Sequence, residues 1–199
     1  MHEVASEPGD RREVILTAAA ELFARQGVAS TSVREIAESV GILSGSLYHH
    51  FRSKQSIVEE ILTTYLEDLQ KSYELILASG YEPDERLRRL ITASIATSVS
   101  HPRAAEIYQN DSRYLAEQSA FTFVHDVGTL VQDALISVID DGVRLGVFRA
   151  DVDAKVFYRL LRDGMWRSVR WFRPTADYTV EKFTADIATV YLDGFRTSL

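Results

Sequence analysis

The chain predicts an all-α fold of about nine helices, three short ones followed by a larger helical body. Three observations carry this. Apolar residues recur at helical spacing along most of the 199 residues. No segment sustains the period-two alternation and turn dipeptides of strands. The prolines fall at joints, where a helix starts or has just ended.

In the first helix Ile15, Ala18, Ala19, Leu22 and Phe23 follow i, i+3, i+4, i+7, i+8, and Gly27 closes the pattern. In the second, Ser32 stands three residues before Glu35, the spacing of a capping box. Ile36, Ala37 and Val40 share a face there, and Gly41 is a left-handed stop. A short third helix is expected from about Ser44 to Phe51. Ser53 caps a long fourth helix that carries Ile57, Ile61, Leu62, Tyr65, Leu69 and Ile76 and ends near Gly80. Pro83, Pro102 and Pro174 then punctuate helices at about 84–100, 102–115, 120–146, 153–172 and 179–197. Residues 1–9 read as a disordered tail, 10–54 as one domain and 55–199 as a second, with the fourth helix shared.

Composition narrows the function. The chain holds no cysteine, which excludes disulfides, thiolate zinc sites and a cysteine nucleophile. "MHEVASEPGDRRE" is too polar for a signal peptide, and no uninterrupted apolar run approaches the roughly 20 residues of a membrane span. A cytoplasmic protein with no membrane partner is expected. A net charge of −7 argues against a broad polyanion binder but leaves room for a few focused cations on DNA.

The stretch "GILSGSLYHHFRSK", residues 41–54, is where such focus is expected. Two short helices joined by a glycine-containing turn make a helix-turn-helix, whose second helix enters a major groove. Ser44, Gly45 and Ser46 give it a small, polar leading face. Leu47 and Phe51, four apart, turn inward against Ile36 and Phe23, so Tyr48 and His49 point outward toward phosphates. Lys54 adds a cation beside the next helix start, and Arg34 is the candidate for a bidentate guanine contact. Solvated surface charge is the competing reading for Arg34 and Lys54. Metal binding by His49 and His50 is disfavoured, because adjacent helical residues diverge by about 100° while helical ligand pairs sit at i, i+4; no metal site is expected.

"TSVREIAESVGILSGSLYHHFRSKQSIVEEIL" resembles the N-terminal domain of TetR-family regulators over about residues 10–66. The resemblance implies a homodimeric, all-helical repressor of palindromic double-stranded operator DNA. It implies base reading by residues 44–49 and phosphate contacts from Ser32, Tyr48, His49 and Lys54. It also implies a C-terminal domain that binds a small-molecule effector and pairs its last two helices with those of the partner. Only Arg11 and Arg12 add flanking charge, so affinity is expected to lean on dimerisation and to be steeply salt-dependent.

In the body, "TVEKFTADIATVYLDGF" sets Phe183, Ile187, Tyr191 and Phe195 four apart, a dimer face to which Trp171 and Phe172 contribute; a purely internal core is the alternative. The preceding helix reads "RLLRDGMWRSVRWFR", with Arg162, Trp166 and Arg170 on one stripe and Arg159–Asp163 as a surface ion pair. Cations beside a flat ring suit an anionic, partly apolar ligand. Tyr108, Gln109, Tyr114, Phe121, Phe123, His125 and Val127 would supply the facing wall, or plain core. "GILSGSLYHHF" and "FYRLLRDGMWRSVRWFRP" are similar to the actinobacterial KstR-type regulators of ketosteroid and cholesterol catabolism, in particular the group governing the last two steroid rings. That similarity implies a CoA thioester of a bicyclic steroid fragment as effector. The alternatives are a sensor of another acyl-CoA, fatty acid or drug, and an acyl-CoA enzyme. No phosphate loop, metal spacing or nucleophile–base pair supports the enzyme.

Overall fold

The computed structural model describes the backbone of residues 8–195 and the side chains of residues 11–194. Among the described residues it contains nine α-helices and no strand. They are α1 (Pro8–Gln26), α2 (Val33–Ser39), α3 (Ser44–Leu47), α4 (Lys54–Leu77), α5 (Pro83–Ser100), α6 (Pro102–Ala116), α7 (Thr122–Arg144), α8 (Ala154–Trp171) and α9 (Val180–Phe195). Residues 1–7 of the expected tail lie outside the described residues, and α1 starts at Pro8, ahead of the expected residue 10.

The described residues up to Thr64, with Arg103–Val124, form one unit. Its division from the rest does not follow chain order: it runs through α4 and takes α6 with the helix-turn-helix. Ile15, Ala19 and Phe23 of α1, Ile36 and Ala37 of α2, Leu47 of α3 and Ile57, Val58 and Leu62 of α4 are all fully buried. Ser32 forms the expected capping box with Glu35. Helix α3 is shorter than expected. Beyond Leu47 the amides of His49 and His50 bond three residues back, to Ser46 and Leu47 carbonyls at 3.2 and 2.9 Å. This tighter winding carries Phe51 into the core before Ser53 and Ser56 cap each other's amides at the start of α4.

The turn from Val28 to Thr31 sets where α2 begins, and it is held from two sides. Lys54 Nζ donates to the carbonyls of Val28 at 2.7 Å and Thr31 at 2.9 Å. From α6, Asp111 Oδ1 accepts the Val28 N–H at 3.3 Å. Gly27 has a left-handed φ of +86°, and a Cβ there would stand 3.3 Å from the same oxygen, so a bare glycine lets α6 come this close. Burial pushes the Lys54 ammonium below its usual range and the Asp111 carboxyl above it, while their mutual attraction opposes both shifts. Arg103 of α6 adds an exposed pair with Glu21 of α1.

Tyr65–Pro102 and the described residues from His125 onward form the second unit, in which α5 packs against α8 and α9. Two buried phenols of α4 meet serines of α5: Tyr65 with Ser98 at 3.3 Å and Tyr73 with Ser94 at 2.7 Å. Both serines donate to backbone carbonyls one turn back, so each phenol is the donor to its serine. The stretch Ser119–Arg144 is long and apolar enough to cross a membrane by length and composition. A search for uninterrupted apolar runs misses it because Asp126 and Asp133 interrupt it. Within the second unit its Val131, Leu135, Val138 and Ile139 are buried core. Asp153 caps α8 by accepting from the amides of Lys155 and Val156. Arg173 closes it by donating to the carbonyls of Arg170 and Phe172.

Two stability predictions follow from these contacts. Lys54→Met leaves the Val28 and Thr31 carbonyls without their charged donor, and urea denaturation should register a loss of about 1.5–3 kcal/mol; an unchanged midpoint would mean the clamp contributes nothing. A Cβ at position 164 would overlap the hydroxyl of Tyr191, which donates to the Leu160 carbonyl at 3.0 Å. Gly164→Ala should therefore lower the thermal midpoint by the equivalent of about 1–3 kcal/mol, and Tyr191→Phe in the same background should recover part of it.

Candidate nucleic-acid interface

Gly45, Ser46, Tyr48 and His49 are exposed, Ser44 is half-buried, and Leu47 and Phe51 are buried. The third helix thus divides as its sequence predicts, with small and hydrogen-bonding groups on the open side. Ser32 is exposed, but its hydroxyl is engaged with Glu35, accepting the amide at 3.2 Å and donating to the carboxylate at 2.7 Å. That hydroxyl is the main reason the Glu35 carboxyl titrates below its usual range. Arg34 extends into solvent and bonds Glu38 at 2.7 Å. An exposed i, i+4 pair of this kind is screened by solvent and contributes little, so the guanidinium exchanges partners at little cost.

Lys54 departs from expectation. Its ammonium is turned onto the carbonyls of the Val28–Thr31 turn and is not held out as a phosphate contact. The flanking arginines are engaged as well. Arg11 donates to the Val40 carbonyl at 3.1 Å, closing α2, while Arg12 pairs with Glu60 and lies 4.4 Å over the Phe51 ring. Two residues that the sequence reading passed over stand out instead. Arg52 is exposed and has no hydrogen-bond or ion-pair partner among the described residues. Its signal was its place between buried Phe51 and the cap Ser53. Leu43, immediately before α3, is 80% exposed.

The seven expected effector residues fall in both units. Tyr108 and Phe121 are buried and Tyr114 half-buried in the first, where Phe121 meets Phe123 edge-on. In the second, His125 and Arg170 are exposed and Trp166 half-buried. There Arg162 lies over both Tyr158 at 5.6 Å and Trp166 at 5.5 Å, which realises the first half of the stripe. The expected Arg159–Asp163 pair is absent among the described residues, because Asp163 accepts from the adjacent Arg162 at 2.9 Å. A cavity of about 450 Å³ beside α1 and α4 has Arg12, Arg52, Glu59 and Glu60 in its wall; its carboxylates make it a poor cradle for an anion.

Of the expected dimer residues, Phe172 and Phe183 are buried against each other, stacked at 3.9 Å and 7°. They serve the internal core, the alternative that periodicity left open. Trp171 is 65% exposed at the edge of Phe183. Ile187 and Tyr191 are half-buried, and the side chain of Phe195 lies outside the described residues. Val156 and Leu160, which periodicity did not single out, join Val190, expected beside this face, in extending the exposed apolar surface of α8 and α9.

Comparison with known proteins places this geometry. The family model described as "Bacterial regulatory proteins, tetR family" matches residues 15–61, and "Tetracyclin repressor-like, C-terminal domain" matches residues 80–195. The HTH-type transcriptional repressor KstR2 of Rhodococcus jostii is 41% identical over 187 residues, covering 94% of this chain and 92% of the relative. The solved ketosteroid transcriptional regulator KstR2 of Mycobacterium tuberculosis matches with a TM-score of 0.86 at 37% identity, covering 98% of this chain and 100% of that one. AibR, solved in complex with isovaleryl coenzyme A and operator DNA, shares the fold at a TM-score of 0.74 and 21% identity, covering 92% of this chain and 98% of that one. Full-length identity to repressors, joined to an exposed recognition helix on a buried base, makes this chain a member of the TetR family: a transcriptional repressor and not an enzyme.

Proposed function

We propose that this repressor is a cytoplasmic homodimer that grips palindromic operator DNA through α3 and releases it when a CoA thioester of a steroid fragment binds the second unit, so that steroid-ring catabolism is derepressed. The observation that carries the DNA half is the division of α3 between buried Leu47 and exposed Gly45, Ser46 and Tyr48. Two recognition helices about 34–36 Å apart, or a multiple of that, would meet successive major grooves on one face of the duplex. Ser44, Gly45 and Ser46 approach the bases, Arg34 reaches a guanine by leaving Glu38, Tyr48 and His49 donate to phosphates, and Ser32 does so only by giving up its hydroxyl bond to Glu35. Lys54 acts by positioning the turn before α2.

The effector half is supported by Arg162 over Trp166, by exposed Arg170 one turn on, and by identity to repressors named for ketosteroid regulation. Guanidinium groups would take the phosphates through charge-assisted bonds; the thioester's apolar rings would need the aromatic side chains. Exposed Val156, Leu160, Trp171 and Val190 are the surface that a partner protomer would cover. No membrane contact and no metal is part of this reading. Derepression from almost fully bound to almost fully free requires the effector to prefer the DNA-incompetent state by about 5.5 kcal/mol.

Salt dependence is expected to be shallow, the reverse of the sequence reading, because the slope scales with the phosphates neutralised and most nearby cations bond within the protein. Arg52→Ala should weaken binding about equally across DNA sequences and reduce the slope of log K against log salt by about 1; an unchanged slope would remove Arg52 from the phosphate set. Arg162→Met should leave operator affinity intact and raise the effector concentration needed for release about tenfold or more, as loss of one charge-assisted contact requires. Fluorescence polarisation of labelled operator, titrated with thioester and with free acid, measures both. Release by the free acid at equal concentration would sink the CoA assignment and leave the repressor standing.

A further inference from the structure

We infer that Leu43 is a base-reading residue whose side chain contacts the 5-methyl group of a thymine in the major groove, an inference that rests on the DNA-binding reading above. The first observation is exposure: at 80%, Leu43 exceeds every other exposed large hydrophobic side chain among the described residues. The second is its position. Leu43 is the N-cap of α3, with extended backbone at φ −73° and ψ 146°, and its carbonyl accepts the amides of Ser46 at 2.9 Å and Leu47 at 3.3 Å. The backbone does its part, yet the side chain caps nothing. Serine, threonine, aspartate or asparagine would serve the helix better here and would put no apolar surface in water. On both counts folding disfavours leucine, so its use has to be sought outside the fold.

The surroundings name the partner. Gly45 and Ser46 are exposed beside it, and nothing lies within 4 Å of where a Gly45 Cβ would be, so a groove can close on this end of α3. A protein partner would want a contiguous apolar patch. Here the neighbours Gly41, Ser44, Gly45 and Ser46 are small or polar and Ile42 is half-buried. In the major groove the apolar feature on a base edge is the thymine methyl, which alkyl side chains contact. Lys54, Arg11 and Arg12 bond internally, so binding on this face rests less on phosphate contacts and more on contacts to base edges, this one beside that proposed for Arg34.

The test uses the full-length protein and an operator fragment from upstream of its own gene, synthesised once with thymine and once with uracil at every thymine position. Wild type should bind the thymine form about fourfold more tightly per half-site, the value of burying one methyl. Leu43→Ala should bind both forms about equally, with its salt slope unchanged. Leu43→Ser should also lose the preference while its thermal midpoint holds or rises, since serine restores the cap. Wild type without a thymine preference, or a Leu43→Ala protein that keeps it, overturns the inference. Tight wild-type binding to the thymine form over unrelated DNA upholds the operator reading in either case; its absence sinks that reading and this inference together.

Discussion

The arrangement of the DNA-reading unit depends on how the turn from Val28 to Thr31 is held. Its carbonyls face an ammonium from α4 and one of its amides faces a carboxylate from α6. Each end of the local peptide dipole therefore meets the charge that suits it. The turn fixes the start of α2, and α2 fixes α3 through the buried set of Ile36, Ala37 and Leu47. A conformational choice made at four residues is thus transmitted to the reading surface. The same clamp explains why α6 joins the helix-turn-helix although some fifty residues of chain intervene. Asp111 has one oxygen on Val28 and the other buried without a hydrogen-bond partner, an arrangement that burial alone would not favour and that the nearby Lys54 charge makes tolerable.

Charge distribution follows from that architecture. A chain of net −7 repels the phosphate backbone at long range, and most of its local cations, Arg52 excepted, are engaged in closing helices and fixing turns. Non-specific affinity comes almost wholly from phosphate contacts. If α3 reads DNA as proposed, a surface of serines, glycine, tyrosine and an exposed leucine would raise the ratio of specific to non-specific binding, not the total affinity. For a regulator that must find a few operators among a genome of competitors, that ratio is the quantity that matters.

The local half of this structure was legible in the sequence, and the long-range half was not. Most helix limits, though not the early end of α3 at Leu47, the Ser32–Glu35 box, the stop at Gly27 and the inward turn of Leu47 and Phe51 depend on residues within about one turn of each other, so spacing encodes them. Lys54 was misread because its partners lie 23 and 26 residues away, and a side chain with three rotatable donors has no sequence mark for which acceptors it will find. Asp163 had two arginines within reach, and spacing could not show that Arg162, held over Trp166, was the better placed. Phe172 and Phe183 looked like interface because periodicity reports that a face is apolar, not what covers it. Arg52 carried only the faint mark of its place between Phe51 and Ser53, and Leu43 carried none: exposure distinguishes them, and exposure is a tertiary property.

Helix α8 joins the two proposed activities of the second unit. Phe157, Leu161, Met165 and Ser168 form its buried side, while Arg162, Trp166 and Arg170 follow one another at intervals of four on a second side. Val156, Leu160 and Trp171 make a third, exposed and apolar. At 3.6 residues per turn the Arg162–Trp166–Arg170 stripe and the Val156–Leu160–Trp171 face are centred roughly 110° apart, so the proposed effector-facing and partner-facing groups ride on neighbouring sides of one cylinder. A helix shifts or turns as a unit far more readily than it deforms. On the proposed reading, an effector whose phosphates pull Arg162 and Arg170 far enough to shift the helix would carry Leu160 and Trp171 with it. Ligand binding and the packing of the dimer would on that reading be coupled, and the differential affinity that release requires could arise at the interface without any contact between effector and DNA.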